Sequence, residues 1–172
     1  VPIYLPVASA NFPPEIHTLS NYNFKTPPGL IDQVNFWKKI YSEYTTQHVV
    51  IHDMNDLGIV YEVVHLGKTH LSRRSKERKL DKIKAKYKRM LRRIARTKNK
   101  SKLKGEELRV YHLVKKNHYK ASRRIRGQWG LKDRFKEGIE RSGLNMDEIK
   151  RILRKYNLPE ELSVLPHVES SF

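Results

Sequence analysis

The sequence predicts a mainly α protein with one β-hairpin, introduced by an extended proline-rich arm and carrying a basic helical pair. Three observations predict it. Six of the eight prolines fall in residues 1–29, later apolar residues recur at spacings of three and four, and two β-branched runs flank a single turn-rich stretch. A chain of 172 residues, 38% hydrophobic and 31% charged, suffices for one ordinary domain or a small domain with arms. No apolar run approaches the roughly 18 residues of a membrane-spanning helix. The absence of cysteine excludes disulfides and thiolate metal sites.

Residues 1–29 hold "VPIYLP", "NFPPE" and "TPPG". Proline fixes φ and removes a donor, so this segment reads as an extended arm without helix. Its apolar residues, among them Ile3, Tyr4, Phe12 and Phe24, suit a strip laid along a protein surface. The first residue is valine and no charged, apolar lead-in precedes "VASA". The expectation is therefore a leader already removed or a start inside a longer chain.

Residues 30–67 form the next segment. Ile31, Val34, Trp37, Ile40, Tyr41 and Tyr44 mark one amphipathic helix from about Leu30 to Thr45. "HVVIHDMNDLGIVYEVVHL" follows, a β-hairpin turning over Asp53 to Gly58. A lone hairpin is marginal in water, so it must pack on a neighbour or pair with a partner's strand. Asp53, Asn55 and Asp56 resemble a fragment of a calcium loop but lack its last glutamate, and read as turn formers. His48, His52, His65 and His70 cluster here without a metal-ligand spacing, so no metal and no cofactor is expected.

The formal net charge of +18 belongs to residues 68–126, which hold 25 of the 36 basic residues and only four acidic ones. Subtraction leaves 11 basic and 14 acidic residues elsewhere. From Ser75 to Thr97 a narrow stripe (Leu80, Ile83, Tyr87, Met90, Leu91, Ile94) predicts one helix, and Glu106 to Tyr119 a second, with Leu108, Tyr111, Val114 and His118 on one side. The two would close as an antiparallel pair. Lys84, Lys88, Arg92, Arg93 and Arg96 on the first are the candidate polyanion contacts. Lysine and arginine density does not name the anion: an anionic polymer, a lipid surface or nucleic acid would serve. Nucleic acid is the least favoured, since no stacking motif or Cys/His cluster appears.

From residue 127 three short helical units are expected, punctuated by Gly143 as a helix C′ residue, Asn157, and Pro159 in a first turn. On a helix, Leu162, Leu165, Glu169 and Phe172 share one face, which sets a carboxylate among apolar neighbours. Pro166 interrupts that ladder. The structural reading of Glu169 is a helix-end cap or a partner for a lysine.

The run "GLKDRFKEGIERSG…MDEIKRILRKYNLPEELSVLPHVESSF" resembles the start of the catalytic domain of membrane-bound lytic transglycosylase D-like proteins, relatives of goose-type lysozyme that cleave peptidoglycan. The matching residues are Asp133, Arg134, Phe135, Arg141, Ser142 and Gly143, then "LPEEL" from Leu158 and "LPHVESSF" from Leu165. The resemblance implies that residues 127–172 begin a lysozyme-like helical domain. It implies a catalytic acid and base at Glu169, a supporting substrate contact at Ser170, and no cofactor. Trp129, beside Gly130 where this unit begins, is the candidate sugar contact. The family pattern continues past "ESSF" with a glycine-rich turn and further cleft residues that this chain does not contain, so the chain alone is expected to be inactive.

The resemblance further implies a periplasmic or secreted envelope protein with peptidoglycan as substrate. The arm and hairpin are the expected contacts with an envelope protein assembly. The alternative is a non-enzymatic basic scaffold or nucleic-acid-binding protein.

Overall fold

The computed structural model describes residues 26–67 and 72–169. The protein is mainly α-helical with a β-hairpin extended to a three-stranded antiparallel sheet. Most of the proline-rich arm, together with His70 and Ser170 to Phe172, lies outside the described residues. The chain divides into two compact units, one comprising Lys25–Glu140, the other including Arg141–Phe172.

In the first unit a short 3-10 turn at Pro28–Leu30 leads into α1 (Ile31–Ser42). The sequence places Ile31, Val34 and Trp37 on its buried stripe. The structure instead buries Phe36 and Ile40 and leaves those three exposed. Phe36 and Ile40 are the pair, four apart, that meets Val50 of the sheet with Leu57, Val60 and Leu131 around them, and this contact selects a narrower face than the apolar count suggests.

β1 (His48–Asp53) and β2 (Val60–His65) form the predicted hairpin. Its missing neighbour is supplied by this chain. β3 (Ile125–Trp129) pairs antiparallel with β1, giving the order β2-β1-β3. β1 is therefore central and covered on both faces. Val49 and Ile51 join the large core under the basic helices, while Val50 faces α1. A register shift opposite Ile51 and His52 leaves Tyr61 as the extra residue of β2. Such a bulge re-aims a side chain, and the Tyr61 ring packs 5.3 Å from Tyr87 in the core.

The expected boundary at residue 127 is instead the middle of β3. Gly127 makes this possible: a Cβ there would lie 2.7 Å from Leu80 Cδ1 and 3.2 Å from Val49 Cγ1. A side chain there would make Leu80 turn aside from its seat on the sheet. Gly130 is constrained more tightly, since a Cβ would collide with the backbone carbonyls of Tyr44 and Thr45.

α2 (Arg73–Arg96) begins at Ser72, whose hydroxyl accepts from the Ser75 amide. It buries Leu80, Tyr87, Leu91 and Ile94 along the predicted stripe, with Ile83 and Met90 partly covered. The second basic helix is not continuous. α3 (Gly105–Leu113) stops, Asn117 adopts a left-handed φ of 56°, and α4 (His118–Ala121) restarts the chain. Its inner residues are Val110 and Val114, both fully buried, whereas Leu108 is exposed. Val114 lies on the expected side and Tyr111 packs partly buried against the same core; Val110 joins them and Leu108 faces out.

A polar lock ties α2, α3 and β2 together. The Tyr87 hydroxyl lies 2.7 Å from Glu106 Oε1 and 2.9 Å from Glu62 Oε2. Arg109 donates to both Glu106 oxygens, at 2.7 and 2.8 Å, and to the Tyr61 carbonyl at 2.5 Å. Burial first, then the two carboxylates, push the Tyr87 phenol well above its ordinary range. The hydrogen bonds from Arg109, opposed by partial burial and helped by Tyr87, hold the Glu106 carboxyl down to about 2 against an ordinary 4.5.

α5 (Lys132–Lys155) runs unbroken through Gly143, which the sequence suggested as a helix end. Nothing lies within 4 Å of a Cβ built at Gly143, and its φ is not positive, so its permissiveness is unused. The left-handed residue is Asn157, φ 54°, two residues past the helix end. Pro159 precedes a 3-10 turn (Glu160–Val164) as its N-cap, and α6 (Leu165–Glu169) follows with Pro166 at its second position, where a missing N–H is tolerated.

Glu106 generates a pH prediction. A carboxyl depressed in the folded state contributes stability that is present above the unfolded value and is lost as pH falls through the folded one. Urea midpoints should therefore decline between about pH 4.5 and 2 in part through Glu106, and Glu106→Gln should flatten that decline. An identical slope in the variant would contradict the assignment.

Candidate functional site

Glu169 closes α6 with an exposed side chain. Leu165 and Val168 beside it are also exposed, and Phe172 and Ser170 lie outside the described residues. The apolar enclosure expected from the Leu162, Leu165, Glu169, Phe172 face is thus not built by residues 141–169. Within the described residues Leu165 is exposed, and α6 turns His167, not Leu165, inward.

The inward residue is the one feature of this segment that sequence reasoning passed over. His167 Nε2 and Ser142 Oγ lie 2.7 Å apart and both side chains are buried. This hydrogen bond fastens the helix carrying Glu169 to α5. The signal in the sequence was available: Ser142 and His167 both belong to the resemblance motif, one in each half. Arg154 adds a surface ion pair to Glu160 at 2.8 Å, linking α5 to the 3-10 turn.

Other motif residues serve the first unit. Asp133 accepts from the Thr46 amide at 3.0 Å and from the Thr46 hydroxyl. Burial alone would raise its carboxyl, but these bonds outweigh it and hold it below the ordinary range. Phe135 packs 5.0 Å from the Tyr41 ring. Trp129, the candidate sugar contact, lies in β3 half-buried against the main core. It also lines a cleft of about 640 Å³ with Gln128, Arg73, Lys76 and Arg134, and within Lys25–Glu140 this is where a ligand could reach it.

The five candidate polyanion contacts do not act alike. Lys84 is paired to Asp81 at 2.9 Å and Arg93 to Glu107, so neither offers free charge. Lys88 is exposed. Arg92 and Arg96 line a groove of about 510 Å³ with Arg89, Arg93 and Thr97. Arg89 was missed because composition alone cannot rank cations on one helix.

Around the hairpin, Asp53 is fully buried and receives Arg124 at 3.0 and 2.9 Å, a role beyond turn formation. His52 is buried with its Nδ1 2.9 Å from the Asp53 carbonyl, and burial lowers its basicity. His48 and His65 stack edge-on at 4.8 Å and are engaged by Thr45 and Gln47. Among the described residues no group of three or more His, Asp or Glu side chains could hold a metal. No described helix is long and apolar enough to cross a membrane.

No family model, no curated protein and no solved structure matches this chain.

Loss of a buried hydrogen bond costs about 1–3 kcal/mol when one partner is left behind. Ser142→Ala should accordingly speed amide exchange in α6 while leaving β1 protection unchanged. Unaltered exchange across residues 160–169 would show that the Ser142–His167 bond does not hold α6.

Proposed function

We propose that this chain is the leading part of a peptidoglycan lytic transglycosylase with Glu169 as its acid and base. The observation that carries the reading is the motif "LPEEL…LPHVESSF". Its described part supports it: a 3-10 turn and a short helix end on Glu169, with His167 buried against Ser142. The exposed Glu169 carboxylate is open to a substrate on the described side.

The chemistry requires one carboxyl. Protonated Glu169 gives its proton to the glycosidic oxygen between N-acetylmuramic acid and N-acetylglucosamine, and the C1–oxygen bond breaks. The resulting carboxylate takes the proton from the muramoyl C6 hydroxyl, whose oxygen bonds to C1. A 1,6-anhydro ring closes, no water is consumed, and Glu169 regains its proton. Hydrolytic glycosidases normally need a second carboxylate because their nucleophile is water or the enzyme itself; here the sugar supplies it. Proton transfer of this kind is most effective from a carboxyl poised near the working pH. Residues 141–169 do not enclose Glu169, so that poise would come from cleft residues beyond them.

The basic first unit fits an envelope setting, where surface cations hold a protein near anionic polymers. The reading is tested by digesting purified peptidoglycan with the full-length gene product and analysing the muropeptides by mass. Anhydro-muropeptides should form with the wild type, and Glu169→Gln should reduce them by at least about a hundredfold, the scale of a lost general acid. Products with reducing ends, or full activity in the variant, would overturn it.

A further inference from the structure

Several arginines of this protein meet a carboxylate, as Arg73 with Glu77, Arg109 with Glu106, Arg124 with Asp53 and Arg151 with Glu148. Within the last two turns of α2, Arg89, Arg92 and Arg96 do not. No ion pair or hydrogen bond engages any of the three among the described residues. Their spacing of three and four sets them on one face of α2, where they line the groove of about 510 Å³ with Arg93 and Thr97. Arg93 is neutralised by Glu107. Three uncompensated guanidinium charges remain.

Arg92 carries the sharpest observation. Its Nε is buried and meets no acceptor among the described residues. A buried donor left without an acceptor is costly, and native structures rarely keep one without a reason. Just past the end of α4, Arg123 donates to the Tyr119 hydroxyl at 3.1 Å and lies 5.0 Å over its ring. The Tyr119 phenol is pulled below its ordinary range first by that hydrogen bond and the Arg123 charge, with Arg92 and Arg96 adding to it. Arg92 and Arg96 therefore act on the same phenol as Arg123. The Tyr119 face covered by Arg123 is not available for stacking on a nucleobase.

The geometry points to a diphosphate-binding site on α2, with Arg92 at its centre and Arg89 and Arg96 on either side. Guanidinium forks match phosphate oxygens two at a time, which a lysine cannot do. One phosphate monoester carries about −1.5 to −2 charges at neutral pH, short of the three present; two linked phosphates complete the balance. Free pyrophosphate, a nucleoside diphosphate and a diphosphate lipid headgroup share this chemistry. The site stands independently of the transglycosylase reading.

Isothermal titration with inorganic pyrophosphate at about 0.15 M salt tests it. One saturable site is expected, tighter than for inorganic phosphate. Arg92→Gln and Arg92→Lys should each weaken it about tenfold or more, the scale of a lost charged hydrogen bond. Arg74→Gln, which removes the same charge from the far end of α2, should leave it unchanged. Arg89→Gln and Arg96→Gln, at exposed positions, give the same answer should Arg92 variants fail to fold by circular dichroism. ADP and phosphatidylcholine vesicles doped with farnesyl diphosphate identify the source, since binding of either that pyrophosphate displaces supports the site. Equal weakening by Arg74→Gln, equal affinity for inorganic phosphate, or binding of a DNA duplex that pyrophosphate does not displace would each overturn it.

Discussion

The first unit depends on one ion pair whose carboxylate is fully buried. Asp53, at the end of the central strand, is shielded from solvent, and a carboxylate there is tolerable only with a full set of donors. Arg124 supplies two of them and the Asn55 amide a third at 2.8 Å. Backbone bonds from Asp53 to the Ile59 carbonyl and from Met54 to the Arg124 carbonyl flank the pair. Together they close the hairpin turn and deliver the chain from α4 into β3 beside β1. The strand that anchors both cores is thus held at one end by charge and along its length by apolar burial.

This arrangement explains how a chain so rich in lysine and arginine folds. The positive charge lies on α2 to α4, over one face of the sheet, and its helices present apolar residues inward at only a few positions. Repulsion among these side chains is relieved where carboxylates are near, as at Glu106 and Glu107, and persists where they are absent. The unneutralised stretch at Arg89, Arg92 and Arg96 coincides with the groove, so electrostatic cost and candidate site fall at the same place. The second unit has a different character: Glu148 and Glu160 pair with its arginines, and its buried contact is a hydroxyl–imidazole bond.

How much of this was legible in the sequence follows from which signals are local. The hairpin was, because β-branched runs and an Asp/Asn/Gly turn act within twenty residues. So was α2, whose buried stripe from Leu80 to Ile94 repeats over about four turns. β3 was not, since "IRGQW" contains the glycine that sequence patterns assign to a turn, and its purpose is visible only against Leu80. The faces of α1, and Leu108 on α3, differ from expectation for a related reason: apolar residues exceed what the neighbouring elements can cover, and the partner decides which are buried. Gly143 shows the reverse error, a permissive residue placed where the helix simply continues. The Ser142–His167 contact near Glu169 was not legible, because it spans 25 positions.

A double-mutant cycle between Asp53 and Arg124 tests the central constraint most directly. Urea unfolding of Asp53→Asn, Arg124→Met and the double variant gives the coupling between them. Each single change should cost about 3–5 kcal/mol, the scale of breaking a buried pair, and the double variant should cost clearly less than their sum. Single losses below about 1 kcal/mol, or additivity within about 0.5 kcal/mol, would contradict the dependence of the central strand on this pair.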